Sequence, residues 1–485
     1  TALPDVTIGE ILTYQLVLTI PPSSTDTYTV IDSLDTGLAF VDCEDITGGG
    51  GLTSSAIALN TPGNCAPAAG PGGNPLITDS GGTVAFSFGT ITNANATSSE
   101  SITIRYRVVV LDTTGNVREI TLANSALMQW TSGSIRRQTA PVRIIESDLG
   151  LEKTVDRPLA TPYMVLTYQI RIFHTADSQL AAYDTVINDI LPDDVTYVPG
   201  SLRFVSGSGA APTLLDDTAV DPVSGNLIMH AGWSTLAVGE ESTIEFQAVF
   251  GVIPVGDSVV NTASAEWTSL PGDVPAPPST YLSVFNQPYS HERRYDPLFP
   301  ADVYQVTSAA TVGMLPLPET GFAPDTVTDL PLQPAEKQYA NLAGMRLFLP
   351  RINQNLPVVG VPITADGWDL TWLWGQAGYL EGTAYPGSAG NSVLTAHVYL
   401  PNGEPGPFVQ LSALRWGDRV ILISGGQRYI YEIRTNNSVL PTDITPFRHE
   451  KSSWLTLITC LGYDSYSGEY RYRQVARAVL ISIEA

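Results

Sequence analysis

"WLTLITCLGYDSYSGEYRYRQVARAVLISI", residues 454 to 483, reads as two strands on either side of a polar, glycine-containing stretch. The first strand, "WLTLITC", is an apolar run that ends on Cys460. A lone cysteine in such a run is ordinarily a small buried hydrophobe, and a single histidine such as His397 in "LTAHVY" is ordinarily structural. A cysteine nucleophile needs a histidine to share its proton and a cation or dipole to hold the oxyanion of acyl transfer. This part of the chain supplies one cysteine, few histidines and a close run of arginines just after the cysteine.

Around this stretch, residues 338–485 read as one compact β-rich domain. "MRLFLPRI", "LPVVGVP", "NSVLTAHVYL", "DRVILIS" and "RYIYEIR" all read as strands, and "LSALRWGD" at 411–418 allows a helical turn or two.

The whole chain, 485 residues, is too long for one core and suggests about three domains. Its 24 basic and 48 acidic residues leave a formal charge of -24, a field that repels nucleic acid and anionic membrane. No apolar run is long enough to span a bilayer. The opening "TALPDVTIGE" has neither the basic nor the apolar region of a signal peptide, as expected of a processed chain or one whose beginning has been left out. Cys43 and Cys65 flank a single Gly/Pro-rich loop while Cys460 stands apart, so we expect a Cys43–Cys65 disulfide, one free thiol and an oxidising, extracellular, cell-surface setting. Two unpaired loop cysteines are the alternative.

An internal repeat occupies the first 285 residues. "ILTYQLVL" at 11–18 returns as "VLTYQIRI" at 165–172, "VIDSLDTGLAFV" parallels "INDILPDDVTYV", "TIRYRVVV" parallels "TIEFQAVF", and "NSALMQWTS" parallels "NTASAEWTS". Four matches in one order mean two copies of one domain, at 1–146 and 147–285. Short alternating runs punctuated by Gly, Pro, Asp and Asn predict a mainly β chain with two immunoglobulin-like β-sandwiches. Residues 286–337 are rich in Pro and turn residues and read as a semi-extended linker, within which "DVYQVTSAATV" alternates well enough to be a strand if an edge is offered. The same linker carries Leu317-Pro318-Glu319-Thr320-Gly321.

"LTLITC" followed by "YDSYSGEYRYRQVARAVLI" resembles the catalytic strand pair of class A sortases, cysteine transpeptidases that attach proteins to cell walls. The family signature TLxTC stands here as Thr456 to Cys460, the histidine falls on His397, and ungapped spacing selects Arg473 as the arginine, with Arg471 the fallback. Ala396 stands where the family often has glycine. The resemblance implies a sortase-type β-barrel in which Cys460 attacks the Thr-Gly carbonyl of an LPxTG peptide to form a thioester. His397 would then serve the leaving and incoming amines, and Arg473 would hold the oxyanion or the peptide backbone. It also implies that Leu317 to Gly321 is a cis or trans substrate, since the linker is long enough to reach its own active site or a neighbour's. The acceptor amine is left open. A sortase fold retained only as a scaffold is the alternative.

The repeated domain resembles DUF11-type surface sandwiches, on the "LTYQ" strand, the turn ending Asp189-Ile190-Leu191-Pro192 and the "NTA" at Asn261. That resemblance implies an isopeptide bond from Lys153 to Asn261 promoted by Asp189. The chemistry requires a desolvated, neutral lysine and a buried, protonated carboxyl. Copy one offers Asp32 and Asn124 at the matching places, but its lysine would fall ahead of Thr1, so its first strand is expected to be missing and its sheet edge open to another strand. Two further readings follow: a homopolymeric filament subunit built by strand complementation, and an adhesin stalk. No cofactor or resident metal is called for, although the acidic loop "LLDDTAVD" at 214–221 offers oxygen ligands to calcium.

Overall fold

The computed structural model describes residues 3–70, 72–209, 211–272, 274, 292–298, 303–364 and 367–484. Strands dominate, and among the described residues the helical content is limited to single 3-10 turns such as Leu411–Ala413. Among the described residues no helix is long and apolar enough to cross a membrane.

In the first repeat, Ile11–Ile20, Glu100–Val110 and Leu38–Gly48 form one sheet. It faces a second sheet built on Ser125–Trp130, Thr25–Ser33 and Thr83–Asn93, with Gly133–Gln138 at one edge. The period-two pattern of "SITIRYRVVV" explains the packing: Ile102, Ile104, Tyr106 and Val108 all point inward and are fully buried in the core that both sheets share. Cys43 and Cys65 are joined as a disulfide with their Cα atoms 5.9 Å apart. Among the described residues nothing pairs with the outer edge of Ile11–Ile20.

The second repeat has the same plan with that edge filled. Leu149–Val155 lies antiparallel on Val165–His174, which pairs with Glu241–Phe250. The facing sheet runs Leu159–Ala160, Gln305–Met314, Ser258–Thr268, Ala182–Ile190 and Ile228–Leu236. The repeats meet at Arg293, whose buried guanidinium donates Nε to Asp112 and Nη1 to Glu146, each at 2.6 Å.

The expected linker is therefore corrected. Gln305–Met314 is the edge strand of the second sandwich, paired with Ser258–Thr268 along nine residue pairs, so that sandwich extends well past residue 285. The physical reason is burial: Ala310, Val312 and Met314 are buried in the same core as Tyr168 and Phe246, and an extended linker would leave that apolar surface wet. The edge that "DVYQVTSAATV" needs is thus supplied within the chain by Ser258–Thr268. The proposed 285/286 boundary and Asp302 lie outside the described residues.

The C-terminal barrel is closed by eight strands in the order Ala340–Leu349, Gln354–Val361, Ala377–Leu380, Gly390–Thr395, Ser453–Asp464, Glu469–Glu484, Gln427–Val439 and Arg419–Ser424. Gly390–Thr395 and Ser453–Asp464 run parallel at its centre, and each is buried over most of its length.

Val312→Asp tests the reassigned strand. An unpaired carboxylate in the second core should cost that sandwich about 3 kcal/mol or more. Amide exchange should accelerate in Ser258–Thr268 and stay unchanged in Ser453–Asp464; unchanged exchange in both would restore the linker.

Candidate active site

Register places the two nominated catalytic residues. Thr395 pairs with Ile458 where the parallel pairing ends, and Thr459 Oγ1 donates to Ala396 O at 2.8 Å, which ties the segment leading into His397 to the residue before Cys460. On the other side Cys460 sits directly opposite Arg473 in the antiparallel pair. Arg473 is buried, whereas Arg471 points outward and bonds Asp464 at 2.8 Å. The geometry thus brings together His397, Cys460 and Arg473 and leaves Arg471 at the surface.

The strand expected through "NSVLTAHVYL" stops at Thr395 because its backbone finds another partner. Val398 N–H donates to Thr320 O at 2.9 Å, and Phe322 N–H donates to Tyr399 O at 3.2 Å. The chain's own Leu317 to Gly321 lies in the site. Thr320 N–H donates to Cys460 Sγ at 3.0 Å, Cys460 N–H donates to Thr320 Oγ1 at 3.0 Å, and Arg473 Nε donates to Pro318 O at 2.9 Å.

Each residue of the pentapeptide meets a distinct environment. Leu317 is 2% exposed among Leu370, Val393, Phe447 and Ile458, a burial that contributes about 2 kcal/mol. Pro318 is buried, Glu319 is exposed and Thr320 is fully buried. At Gly321 a Cβ would stand 2.5 Å from Val398 Cγ1 and 3.0 Å from Tyr470 Cε2, so the pocket admits no side chain without a shift. Downstream, Tyr470 Oη donates to Phe322 O at 2.7 Å, Asp325 N–H to Gly403 O at 3.0 Å and Thr328 N–H to Pro401 O at 2.7 Å.

Burial sets the protonation states. The His397 imidazole is 2% exposed, lies 5.2 Å from the Phe322 ring, and neither ring nitrogen completes a hydrogen bond among the described residues. Desolvation pulls it down to about 4, with nearby backbone groups opposing. Burial pushes the Cys460 thiol up, and neither the Arg473 charge nor the Thr320 contacts fully offset it. Both shifts favour a neutral Cys–His pair. A cavity of about 330 Å³, bordered by Gly321, Lys337, Trp368, Asp369, Thr371 and His397, opens beside the Thr320–Gly321 junction.

Sequence reasoning missed Val398, Tyr399 and Tyr470. Val398 and Tyr399 act through backbone atoms, which residue identity does not signal, and Tyr470 is one of several tyrosines in "YDSYSGEYRYR".

A second nominated group lies in the second sandwich. Lys153 Nζ and Asp189 Oδ2 are in direct contact with both side chains fully buried, and Asn261 is fully buried beside them with no hydrogen bond of good geometry to either amide atom. Desolvation lowers Lys153 to about 8 and raises Asp189, so each is driven toward its neutral form. In the acidic loop, Asp216 and Asp221 cap Thr218 and Ser224, while Asp217 accepts from Tyr197 Oη at 2.6 Å. No group of three or more His, Cys, Asp or Glu is placed to hold a metal among the described residues.

The fold and site define a β-barrel with a buried cysteine, histidine and arginine around a bound peptide. The family model described as the sortase domain matches residues 347–481, and that segment is a sortase domain, the domain of cysteine transpeptidases. A lid mutant of sortase A from Corynebacterium diphtheriae is 26% identical, over 32% of this chain and 76% of that one, with a TM-score of 0.26. The complex of Streptococcus agalactiae sortase C1 with MTSET is 27% identical, over 28% and 67%, with a TM-score of 0.24. Sortase C-1 from Actinomyces oris is 28% identical, over 28% and 73%, with a TM-score of 0.25. The family match, not these scores, identifies the domain. A search of curated proteins gave no match.

The low His397 value has a sign that can be checked. Between pH about 6.5 and about 4 the exposed imidazole binds a proton and the covered one does not, so acidification through this window weakens the covered state, by about 3 kcal/mol at the limit. In a Cys460→Ala chain, NMR should find His397 titrating near pH 4, and Leu317→Ala should move it toward 6.5 by loosening the peptide. An unmoved titration in Leu317→Ala would show that the peptide does not cover it.

Proposed function

We propose that this chain is an extracellular cysteine transpeptidase whose own Leu317 to Gly321 is its cis substrate. The observation that carries the reading is the seat of Thr320, bonded through its amide to Cys460 Sγ and through its carbonyl to Val398 N–H. His397 takes the Cys460 thiol proton as the sulfur attacks the Thr320 carbonyl carbon, the oxyanion stays on the Val398 amide, and as the Thr320–Gly321 C–N bond breaks His397 returns that proton to the departing Gly321 nitrogen. Arg473 fixes the register of the peptide through Pro318 O. Residues up to Thr320 are then held as a thioester until an acceptor amine replaces the thiolate.

The neutral Cys–His pair makes this resting arrangement slow to react, because the thiolate–imidazolium form is a small minority. The leaving amine also stays close. The strap after Gly321 is retained by Tyr470 Oη donating to Phe322 O and by strap N–H groups donating to the carbonyls of Tyr399, Gly403 and Pro401, so its amine re-forms the peptide bond at high effective concentration. Transfer to an outside amine requires that amine to enter through the cavity beside His397.

We further propose that Lys153 and Asn261 join as an isopeptide, with Asp189 moving the protons, to give a stalk domain resistant to unfolding. The filament alternative draws support from the open edge of Ile11–Ile20.

Incubation with a short glycine peptide should convert the intact chain into two pieces, 1–320 joined to the peptide and 321–485. Cys460→Ala should give neither piece; equal product from that variant overturns the cis-substrate reading. The intact mass of the second sandwich should be one ammonia below its sequence value, and Asp189→Ala should restore the full mass.

A further inference from the structure

Lysine is scarce in this chain: of its 24 lysine and arginine residues, only Lys153, Lys337 and Lys451 are lysines. Among the described residues arginine makes every ion pair except two, Lys153 with Asp189 and Lys337 with Asp369. Arginine keeps its charge, whereas lysine can give up a proton and become a nucleophilic amine. A pairing needed only for its charge is made elsewhere in this chain with arginine, so the lysine at 337 points to an amine that reacts. Lys153 is buried in the second sandwich and Lys451 is exposed just ahead of Ser453–Asp464. Lys337 borders the cavity beside the Thr320–Gly321 junction, together with Gly321 and His397.

Its position there is fixed by the path of the strap after Gly321. Trp372 Nε1 donates to Pro331 O at 2.9 Å and Gln333 Nε2 donates to Lys337 O at 2.8 Å, which returns the chain to the site. Lys337 ends the short turn Ala335–Lys337, and its Nζ donates to Asp369 Oδ2 at 2.9 Å. Asp369 is held in turn: its Oδ1 accepts from Thr371 N–H at 3.1 Å and from Thr371 Oγ1 at 2.6 Å, and its carbonyl accepts from Tyr339 Oη at 2.9 Å. Both charged side chains are 24% exposed, so the ammonium is neither sealed in a core nor out in bulk water.

We propose that Lys337 is the acceptor amine of this chain, so that the enzyme rearranges its own backbone, exchanging the Thr320–Gly321 peptide bond for an amide between Thr320 and Lys337 Nζ. The inference rests on the thioester at Thr320 proposed above. Rotation of the flexible lysine stem carries Nζ from Asp369 into the cavity. Its ammonium passes one proton, by way of His397, to the released Gly321 amine, which as an ammonium no longer attacks the thioester. The neutral Nζ attacks the Thr320 carbonyl carbon. As the C–S bond breaks, His397 takes a second proton from that nitrogen and delivers it to the Cys460 thiolate, and the third proton stays on the new amide. No oxidant, cofactor or outside amine is consumed, and no atom is lost. Residues 1–320 remain joined to 338–485 through the Lys337 side chain, and 321–336 becomes an arm that ends in a free amine.

The experiment incubates the full chain without added amine, methylates its primary amines reductively, and digests it with trypsin, which cuts after Arg294 and Arg346. The expected product is a two-chain peptide, 295–320 carried on Lys337 of 321–346, with methyl groups on the Gly321 nitrogen and none on Lys337 Nζ. Fragmentation separates it from the linear peptide of equal mass. The intact mass should stay that of one unaltered chain. The branched fraction should rise with time and be lost in Cys460→Ala and in Lys337→Arg, which keeps a cation for Asp369. A methylated Lys337 in a chain that a glycine peptide still splits at Thr320 overturns this inference and leaves the cis-substrate reading standing. A chain that the glycine peptide does not split overturns both. Thr320 joined to Lys451, or to Lys337 of a second copy in a product heavier than one chain, also overturns it.

Discussion

The backbone hydrogen bond from Val398 to the carbonyl of Thr320 is the contact on which the site's arrangement depends. It ends the Gly390–Thr395 strand, frees His397 from the sheet and lays the pentapeptide along Cys460 and Arg473. The bonds from Thr320 to Cys460 and from Arg473 to Pro318 follow from that alignment. A one-residue slip would turn Thr320 outward and Glu319 into the buried position, where its charge has no partner.

Enclosure gives the peptide two opposing roles. It orders the Thr320–Gly321 bond against the thiol, and it removes water from His397 and Cys460, which disfavours their charged forms. The strap after Gly321 is held as well, by Tyr470 Oη donating to Phe322 O, and under the proposed cleavage a tethered amine would recombine faster than it departs. A resting state that is occupied, correctly aligned and slow is the physical consequence.

The repeats show how one packing difference alters chemistry. Where Leu149–Val155 is in place, a buried carboxyl has a lysine to oppose it and the core is closed. Where the corresponding edge is open, the matching carboxyl keeps an unsatisfied oxygen, and Leu16, Met128 and Ile135 line a groove that Asn124 borders. The cost of leaving Asp32 and Asn124 incompletely bonded inside a core is of the kind structures usually avoid.

Period-two alternation, turn residues and four ordered matches made the β class, the two repeats and the C-terminal barrel region legible in the sequence, because strand patterning is local. The TLITC run, its arginines and the LPETG string were legible as well, since they are contiguous. Other features depended on long-range register and burial, which no local window contains. Gln305–Met314 looked like linker until a sandwich edge paired with it. Arg473 and Arg471 are chemically alike, and only the fold buries one and leaves the other in water. Sequence by itself determined that a substrate-like string and a cysteine centre share one chain; tertiary structure decided that the string occupies that centre, because the contact joins a backbone amide to a thiol 140 residues away.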